Sequence, residues 1–186
     1  MFEKETLLSL SLSAMATTNG TCDIVIRKAE PRDCTQIYNL MMELAAFLKV
    51  DRDMTLAAEQ FYKDIFGEKP VCYCIVATAE NDQSTILGYS LYFHIYNFLE
   101  GFAISMENLY VSQSHRGRGI GKMLWREVTR IGLELGGTGV LICVDNWNKN
   151  SKDWYTRRGC VDLVEAKDLH YLNFGRKEME AFVKDV

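Results

Sequence analysis

A glycine-rich turn between an apolar strand and an amphipathic helix constrains this chain more than any other feature of its sequence. It reads Arg116-Gly117-Arg118-Gly119-Ile120-Gly121-Lys122 and is termed the glycine loop. Glycine tolerates positive φ and leaves backbone N–H groups uncovered. At a helix start, such N–H groups and the helix dipole form an anion site that suits a pyrophosphate. The pattern predicts a phosphate-binding loop or, as the alternative, a flexible strand-to-helix turn.

The spacing of the glycines excludes two other phosphate-binding motifs. A Walker A loop needs a glycine where Arg116 stands and Ser or Thr where Met123 stands. The dinucleotide fingerprint needs G-x-G-x-x-G, whereas Gly117, Gly119 and Gly121 follow G-x-G-x-G. A pyrophosphate on this loop therefore relies on backbone donors, assisted by the cationic side chains of the loop.

Hydrophobic periodicity predicts an α+β protein with one mainly antiparallel sheet, whose later strands are joined by crossover helices. The predicted strands cover residues 23–27, 71–78, 86–96, 104–111, 140–144 and 171–174. Predicted helices begin at Pro31, at Thr55 (as N-cap, running to Phe66), at Ile120 (to about Leu135), after Asn148 (to Gly159) and at Lys177. The length of 186 residues favours one domain over 22–186, preceded by a disordered extension over 1–21.

Composition excludes several classes of partner. The net charge is −4 and no dense Lys/Arg stripe is present, so neither a nucleic-acid nor an anionic-membrane surface is expected. Glu3 and Glu5 precede the apolar segment 7–12 where an export signal has basic residues, which predicts a cytoplasmic protein. The six cysteines are expected to be reduced, and Cys72 and Cys74 lack a second Cys/His cluster, so no metal is expected.

The order of residues around the glycine loop resembles a known family. Arg116-Gly117-x-Gly119-Ile120-Gly121 is similar to the Q/R-x-x-G-x-G/A signature of the GNAT N-acetyltransferases. The likeness covers nearly the whole chain after Asp23 and includes a β4-like strand at 106–111. The segments 66–70, 147–148 and 155–159 are similar to the diamine (spermidine/spermine) and thialysine acetyltransferase branch.

This resemblance implies a GNAT fold, acetyl-CoA as co-substrate without a metal, and a homodimer, with a C-terminal strand around Tyr171 as a possible dimer element. It also implies a β-bulge in the β4-like strand that aims the Leu109 N–H at the thioester oxygen. The implied cofactor-binding residues are Leu109, Tyr110, Val111, Arg116, Gly117, Arg118, Gly119, Ile120, Gly121, Lys122, Asn148, Ser151 and Tyr155.

Two side chains are candidates for proton transfer. Tyr155 matches the family's general acid, which protonates the departing thiolate; the alternative is one more packed aromatic beside Trp154. Glu107 is the candidate base, because a carboxylate is unusual in an otherwise apolar strand and an alkylammonium must lose a proton before it attacks. The alternatives for Glu107 are attraction of the cationic substrate or a solvent-facing acid.

The acceptor-side residues depart from the polyamine branch. That branch carries a Tyr-Glu pair where this chain has Phe47 and Leu48, followed by Lys49, so an anion is replaced by a cation nearby. Asp51 and Asp53 are candidates to compensate. Together with Phe47, Leu48 and Glu107, the expected acceptor-binding residues are Leu141, Ile142 and Cys143.

The sequence therefore predicts acetyl transfer from acetyl-CoA to the primary amine of a small cationic substrate, by direct attack in a ternary complex. Thialysine, a lysine-like amino acid or a short diamine fits this prediction better than a polyamine. Two alternatives stay open at this point. One is a protein lysine or N-terminal acetyltransferase, and the other is a non-catalytic acyl-CoA-binding sensor.

Overall fold

The structure is a computed structural model that describes residues 23–50, 55–167 and 172–184. These residues divide into two compact units, the first ending at Cys143 and the second beginning at Val144. The predicted N-terminal extension, Asp51, Asp53 and Tyr171 lie outside the described residues. Within the described residues, no helix is long and apolar enough to cross a membrane.

The first unit is built on a five-stranded sheet in the order β1-β2-β3-β4-β5. The strands are β1 (Ile24–Lys28), β2 (Tyr73–Ala79), β3 (Asp82–Asn97), β4 (Gly101–Val111) and β5 (Val140–Ile142). The first four strands pair antiparallel, and only β5 runs parallel to its neighbour β4. The predicted α+β class with a mixed, mainly antiparallel sheet is confirmed.

Helices cover both faces of this sheet. On one face, α1 (Cys34–Leu48) and α2 (Ala58–Phe66) bury Ile37, Leu40 and Phe61 against strand side chains that include Tyr89 and Tyr110. On the other face, α3 (Ile120–Glu134) buries an apolar stripe at helical spacing, as its sequence predicted: Ile120, Leu124, Val128 and Ile131. The strands between these helices are buried on both faces, which explains their nearly continuous apolar sequence.

A buried ion pair joins the end of β1 to the start of α1. Arg27 donates to both carboxylate oxygens of Asp33, at 2.6 and 2.9 Å, and the Glu30 N–H donates to the same carboxylate at 2.8 Å. Burial opposes ionisation of Asp33, but these bonds and the charge of Arg27 lower the pKa of its carboxyl below the ordinary value. The pair fixes the turn that brings α1 back over the sheet.

Several element boundaries differ from the sequence prediction. Helix α2 begins at Ala58 rather than after Thr55, because the Leu56 carbonyl accepts a hydrogen bond from the Tyr38 hydroxyl and stays outside the helix. Strand β3 begins at Asp82, whose carboxylate accepts from the Ser84 and Thr85 hydroxyls, so the β2–β3 turn is only two residues long. Strand β5 covers three residues that are half-buried, since it is an edge strand that pairs, among the described residues, with β4 alone.

The second unit contains three helices among its described residues: α4 (Lys149–Thr156), α5 (Leu163–Lys167) and α6 (Arg176–Phe182). Lys152 of α4 forms ion pairs with Asp162 at 2.5 Å and with Glu165 of α5 at 2.8 Å. The predicted strand over 171–174 is wrong for its described residues, because 172–174 have no strand partner and Leu172 is 93% exposed.

Candidate active site

The open edge of β4 is the first component of the site. Strand β5 pairs with β4 only from Ile104 to Met106, so the later half of β4 has no strand neighbour on that side among the described residues. The Ser112 N–H donates to the Leu87 carbonyl at 3.0 Å, which makes this a hydrogen-bonded pair of the β3–β4 ladder. Because such pairs alternate in antiparallel strands, the backbone groups of Leu109 and Val111 point away from β3.

A β-bulge determines which residues of β4 direct their backbone groups away from β3. Leu91 pairs with Asn108 and Tyr92 pairs with Met106, so Glu107 is the extra residue on β4. Before the bulge, Ile104 directs its backbone toward β5, and after the bulge this orientation passes to Leu109. Without the inserted residue, the outward N–H in this stretch would belong to Asn108. The bulge that the family resemblance implied is thus present in the strand, and Leu109 N–H points to the open edge.

The glycine loop supplies the second component, a set of backbone donors. Gly117 and Gly119 both have φ of +78°, and nothing lies within 4 Å of where a Cβ would stand, so backbone conformation rather than space requires glycine there. Gly119 is the N-cap of α3, and no side chain caps this helix. Among the described residues, the backbone N–H groups of residues 117–122 donate no backbone hydrogen bond. The positive end of α3 is therefore open to an anion.

Packing brings the loop and the strand edge together. A Cβ on Gly121 would lie 3.5 Å from a methyl of Leu109 and 3.8 Å from one of Val111. The first turn of α3 thus rests on the two residues whose backbone groups point to the open edge. Ile120 is buried, while the side chains of Arg118 and Lys122 are exposed beside the loop.

Arg116 contacts two aromatic rings. Its guanidinium carbon lies 5.3 Å from the ring centre of Phe47 on α1 and 5.2 Å from that of Tyr110 on β4. Its Nε donates to the Val111 carbonyl at 3.0 Å. Phe47 was predicted to contact the acceptor, and the structure places its ring on the loop arginine.

A contact that the sequence did not predict completes this arrangement. The buried Tyr110 donates its hydroxyl hydrogen to the Glu43 carboxylate of α1 at 3.1 Å. Burial raises the pKa of Tyr110, as does the bond to Glu43, whereas Arg116 acts in the opposite direction. The signal in the sequence was the spacing of Glu43 and Phe47, which are four residues apart and share one face of α1.

The other predicted residues of the first unit lie around the same strand. Glu107 is exposed at the bulge and comes directly after Met106, the last residue of β4 that pairs with β5, so the alternative of a solvent-facing acid describes its surroundings. Leu141 and Ile142 lie on β5, opposite Ser105 and Met106, and the exposed Cys143 follows them. Leu48 is the half-buried last residue of α1.

The second unit contains the remaining predicted residues on one short helix. Asn148 is the N-cap of α4, and its side-chain oxygen accepts from the Ser151 N–H at 3.3 Å. Tyr155 lies one turn further on, with its ring edge-to-face against Trp154 at 5.0 Å. Burial, with a smaller effect from Cys160, raises the pKa of Tyr155 to about 12. Its phenol is therefore protonated at neutral pH and able to donate.

The chemistry of the first unit fits a ligand with a pyrophosphate and an amide-rich arm. The glycine loop offers N–H donors at the positive end of α3, and the adjacent edge of β4 offers unpaired strand groups at Leu109 and the Val111 N–H. Acetyl-CoA, the acetyl donor of the family that the sequence resembles, combines these two features. The residues present therefore fit this co-substrate.

Comparison with known proteins identifies the family. Residues 34–160 match the family model described as Acetyltransferase (GNAT) family. A thialysine N-epsilon-acetyltransferase of Sus scrofa is 34% identical over 161 residues, which cover 84% of this chain and 95% of that protein. The spermidine/spermine N(1)-acetyltransferase-like protein 1 of Homo sapiens is 32% identical over 158 residues, covering 83% of this chain and 23% of that protein.

Solved structures agree at the level of the fold. An integron cassette protein from the mobile metagenome of V. cholerae has a TM-score of 0.69 at 19% identity, with 89% of this chain and 99% of that chain covered. The family model, the relatives and the fold lead to one conclusion: this chain belongs to the GNAT family and is an N-acetyltransferase.

Proposed function

We propose that this enzyme transfers the acetyl group of acetyl-CoA to the primary amine of a small cationic substrate, by direct attack in a ternary complex. The observation that carries the proposal is the junction of the open β4 edge with the glycine loop, where Gly121 packs on Leu109 and Val111. This junction places outward strand groups beside the uncapped N-terminus of α3. No covalent acyl carrier is assigned.

Each of four groups has one task in this proposal. Backbone N–H groups of residues 117–122 bind the pyrophosphate. Acetyl-CoA supplies the acyl group as a thioester, which an amine attacks at its carbonyl carbon. The Leu109 N–H stabilises negative charge on the carbonyl oxygen. The Glu107 carboxylate accepts a proton from the substrate ammonium, directly or through water, and the Tyr155 hydroxyl holds a proton for the departing sulfur.

The acceptor side favours an amine with one nearby cation over an extended polyamine. Phe47 and Leu48 stand where the polyamine branch has an aromatic–acid pair, and Lys49 follows them. The Arg116 guanidinium already lies over the Phe47 ring, so a further ammonium at that ring would be repelled. Thialysine, a lysine-like amino acid or a short diamine is therefore the proposed acceptor, which is consistent with relatives named as thialysine acetyltransferases.

A panel of amines tests this proposal. Thiol release from acetyl-CoA is measured with thialysine, lysine, putrescine, spermidine, spermine and a lysine peptide, each with and without enzyme. We expect kcat/KM to be highest for thialysine or a short diamine. Preference for spermidine would show that other acids replace the missing one, and this would overturn the acceptor assignment.

The same panel separates the two alternative functions. Turnover on the peptide but not on the free amines would identify a protein acetyltransferase. Binding of CoA without turnover on any amine would identify a sensor. A homodimer is part of the proposal, and sedimentation velocity is expected to give twice the mass of one chain.

A further inference from the structure

The face that α1 turns toward β4 and the glycine loop carries two side chains that have no task in the proposed acetyl-transfer step itself. Glu43 and Phe47 are one helical turn apart, so both reach the same strip of the first unit. Glu43 accepts from the Tyr110 hydroxyl at 3.1 Å, and the Phe47 ring lies 5.3 Å from the Arg116 guanidinium carbon. The first contact is thus made with a residue of β4, and the second with the first residue of the glycine loop.

Arg116 is the residue through which α1 touches the loop. Its Nε donates to the carbonyl of Val111, the last residue of β4 and five residues earlier in the chain, at 3.0 Å. This bond ties the start of the loop to the end of the strand. The guanidinium carbon also lies over the Phe47 ring at 5.3 Å and over the Tyr110 ring at 5.2 Å. Two cation–π contacts and one hydrogen bond restrict the position of the guanidinium, although the arginine as a whole is exposed.

The residues after Arg116 have little else to hold them. Gly117 and Gly119 have no atoms within 4 Å of their Cβ positions, and the N–H groups of residues 117–122 donate no backbone hydrogen bond within the described residues. The packing of Gly121 on Leu109 and Val111 fixes the far end of the loop. The near end is fixed at Arg116, whose N–H donates to the Gln113 carbonyl at 3.4 Å and whose side chain packs on Phe47 and Tyr110.

We propose that Phe47 is a positioning residue for the pyrophosphate of the co-substrate, acting through Arg116, and not an acceptor contact. This inference rests on the proposed role of the glycine loop in binding that pyrophosphate. The Phe47 ring holds the Arg116 side chain, and Arg116 sets the start of the row of N–H donors. Loss of the ring frees the guanidinium on one side and leaves the donors less well ordered before the ligand arrives.

A double-mutant cycle tests the coupling between Phe47 and Arg116. The dissociation constant of CoA is measured by isothermal titration for the wild type, Phe47→Leu, Arg116→Met and the double variant. We expect Phe47→Leu to weaken CoA binding by about threefold to fivefold in the wild-type background, the size of an exposed cation–π contact. In the Arg116→Met background the same change is expected to have no further effect.

Two control variants separate this role from general damage. Phe47→Tyr keeps an aromatic face and is expected to bind CoA within about twofold of the wild type. Met42→Ala removes another exposed apolar side chain of α1, one that offers no aromatic face to a cation, and is expected to leave the dissociation constant unchanged. Thermal melts of all variants identify any that fail to fold.

A truncated thioester provides the second readout. Acetyl-pantetheine lacks the pyrophosphate together with the 3′-phosphoadenosine, so the ratio of kcat/KM for acetyl-CoA to kcat/KM for acetyl-pantetheine reports on the binding of this part of the co-substrate, which includes the contacts of the loop. We expect Phe47→Leu to lower this ratio by about threefold to fivefold, the same factor as for the dissociation constant of CoA. An unchanged ratio together with a raised KM for the amine would overturn the inference and return Phe47 to the acceptor site. If wild-type protein failed to bind CoA, the proposed function itself would fail instead.

Discussion

Tyr155 is the residue whose protonation state can be assigned most directly. Its pKa of about 12 is raised first by burial, so the phenol keeps its proton across the range in which an amine becomes a nucleophile. A general acid must be protonated to act, and a raised pKa extends its useful range toward alkaline pH. Deprotonation of the Tyr155 phenol is therefore not expected to limit the rate below about pH 10.

Replacing Tyr155 with Phe tests the acid role. We expect Tyr155→Phe to lower kcat by about 100-fold, the lower end for removal of a general acid, while the dissociation constant of CoA changes little. Steady-state kinetics and isothermal titration measure the two quantities. Unchanged turnover would remove Tyr155 from the acid role, and Trp154→Phe serves as the control for packing on the same helix.

Glu107 occupies the bulge and is exposed there, next to the outward-facing Leu109. If its carboxylate takes the proton of an alkylammonium, whose ordinary pKa is ~10.4, the need for it is greatest at neutral pH. We expect Glu107→Gln to reduce kcat/KM most near pH 7 and progressively less toward pH 10. The pH profile of both proteins measures this, and a uniform loss at every pH would assign Glu107 to substrate positioning.

At the scale of elements, the connection from β1 to α1 depends on a buried charge pair. Asp33 is 2% exposed, and its lowered pKa means that the folded state favours its charged form. A carboxyl whose folded pKa lies below the unfolded value stabilises the fold above about pH 4. That contribution is lost as the pH falls through the folded pKa.

Asp33→Asn removes this charge and leaves Arg27 with a side chain only 13% exposed and no ionic partner at that position. We expect the free energy of unfolding at pH 7 to fall by about 3 kcal/mol, as for other broken buried pairs. Urea melts between pH 7 and pH 3 should also show a smaller acid-induced loss for the variant than for the wild type. If the free energy of unfolding fell by the same amount between pH 7 and pH 3 in both proteins, Asp33 would not be a source of the acid-induced loss.

For the whole molecule, ligand binding and folding are linked. The loop and the β4 edge exist only in the folded first unit, so CoA is expected to bind the native state and not the unfolded chain. At 100 times its dissociation constant, CoA is expected to raise the free energy of unfolding by about 2.7 kcal/mol. Urea melts with and without CoA at fixed protein concentration measure this. Binding seen by titration without any such shift would mean that the unfolded chain binds CoA equally well.

The sequence alone determined the class of the fold, because its signals are local. The strand periodicity, the apolar stripe of α3 and the positive-φ glycines at 117 and 119 each depend on residues within one or two turns of each other. The same holds for the order of residues in the glycine loop, which together with the segments on both sides of it resembled the GNAT family. The boundaries of elements such as α2 were less predictable. The residue at which α2 begins depends on a hydrogen bond that the Tyr38 hydroxyl of α1 donates to the Leu56 carbonyl.

Only the tertiary structure decided what Phe47, Tyr110 and Glu107 contact. Phe47 and Arg116 are 69 positions apart, and no periodicity within either segment indicates that the ring lies on the guanidinium. The bulge at Glu107 likewise exists only relative to β3, because an extra residue is defined by the register of its partner strand. Local patterns therefore specified the elements and the loop, while the pairing of distant segments set the direction of the Leu109 N–H and the packing of Arg116.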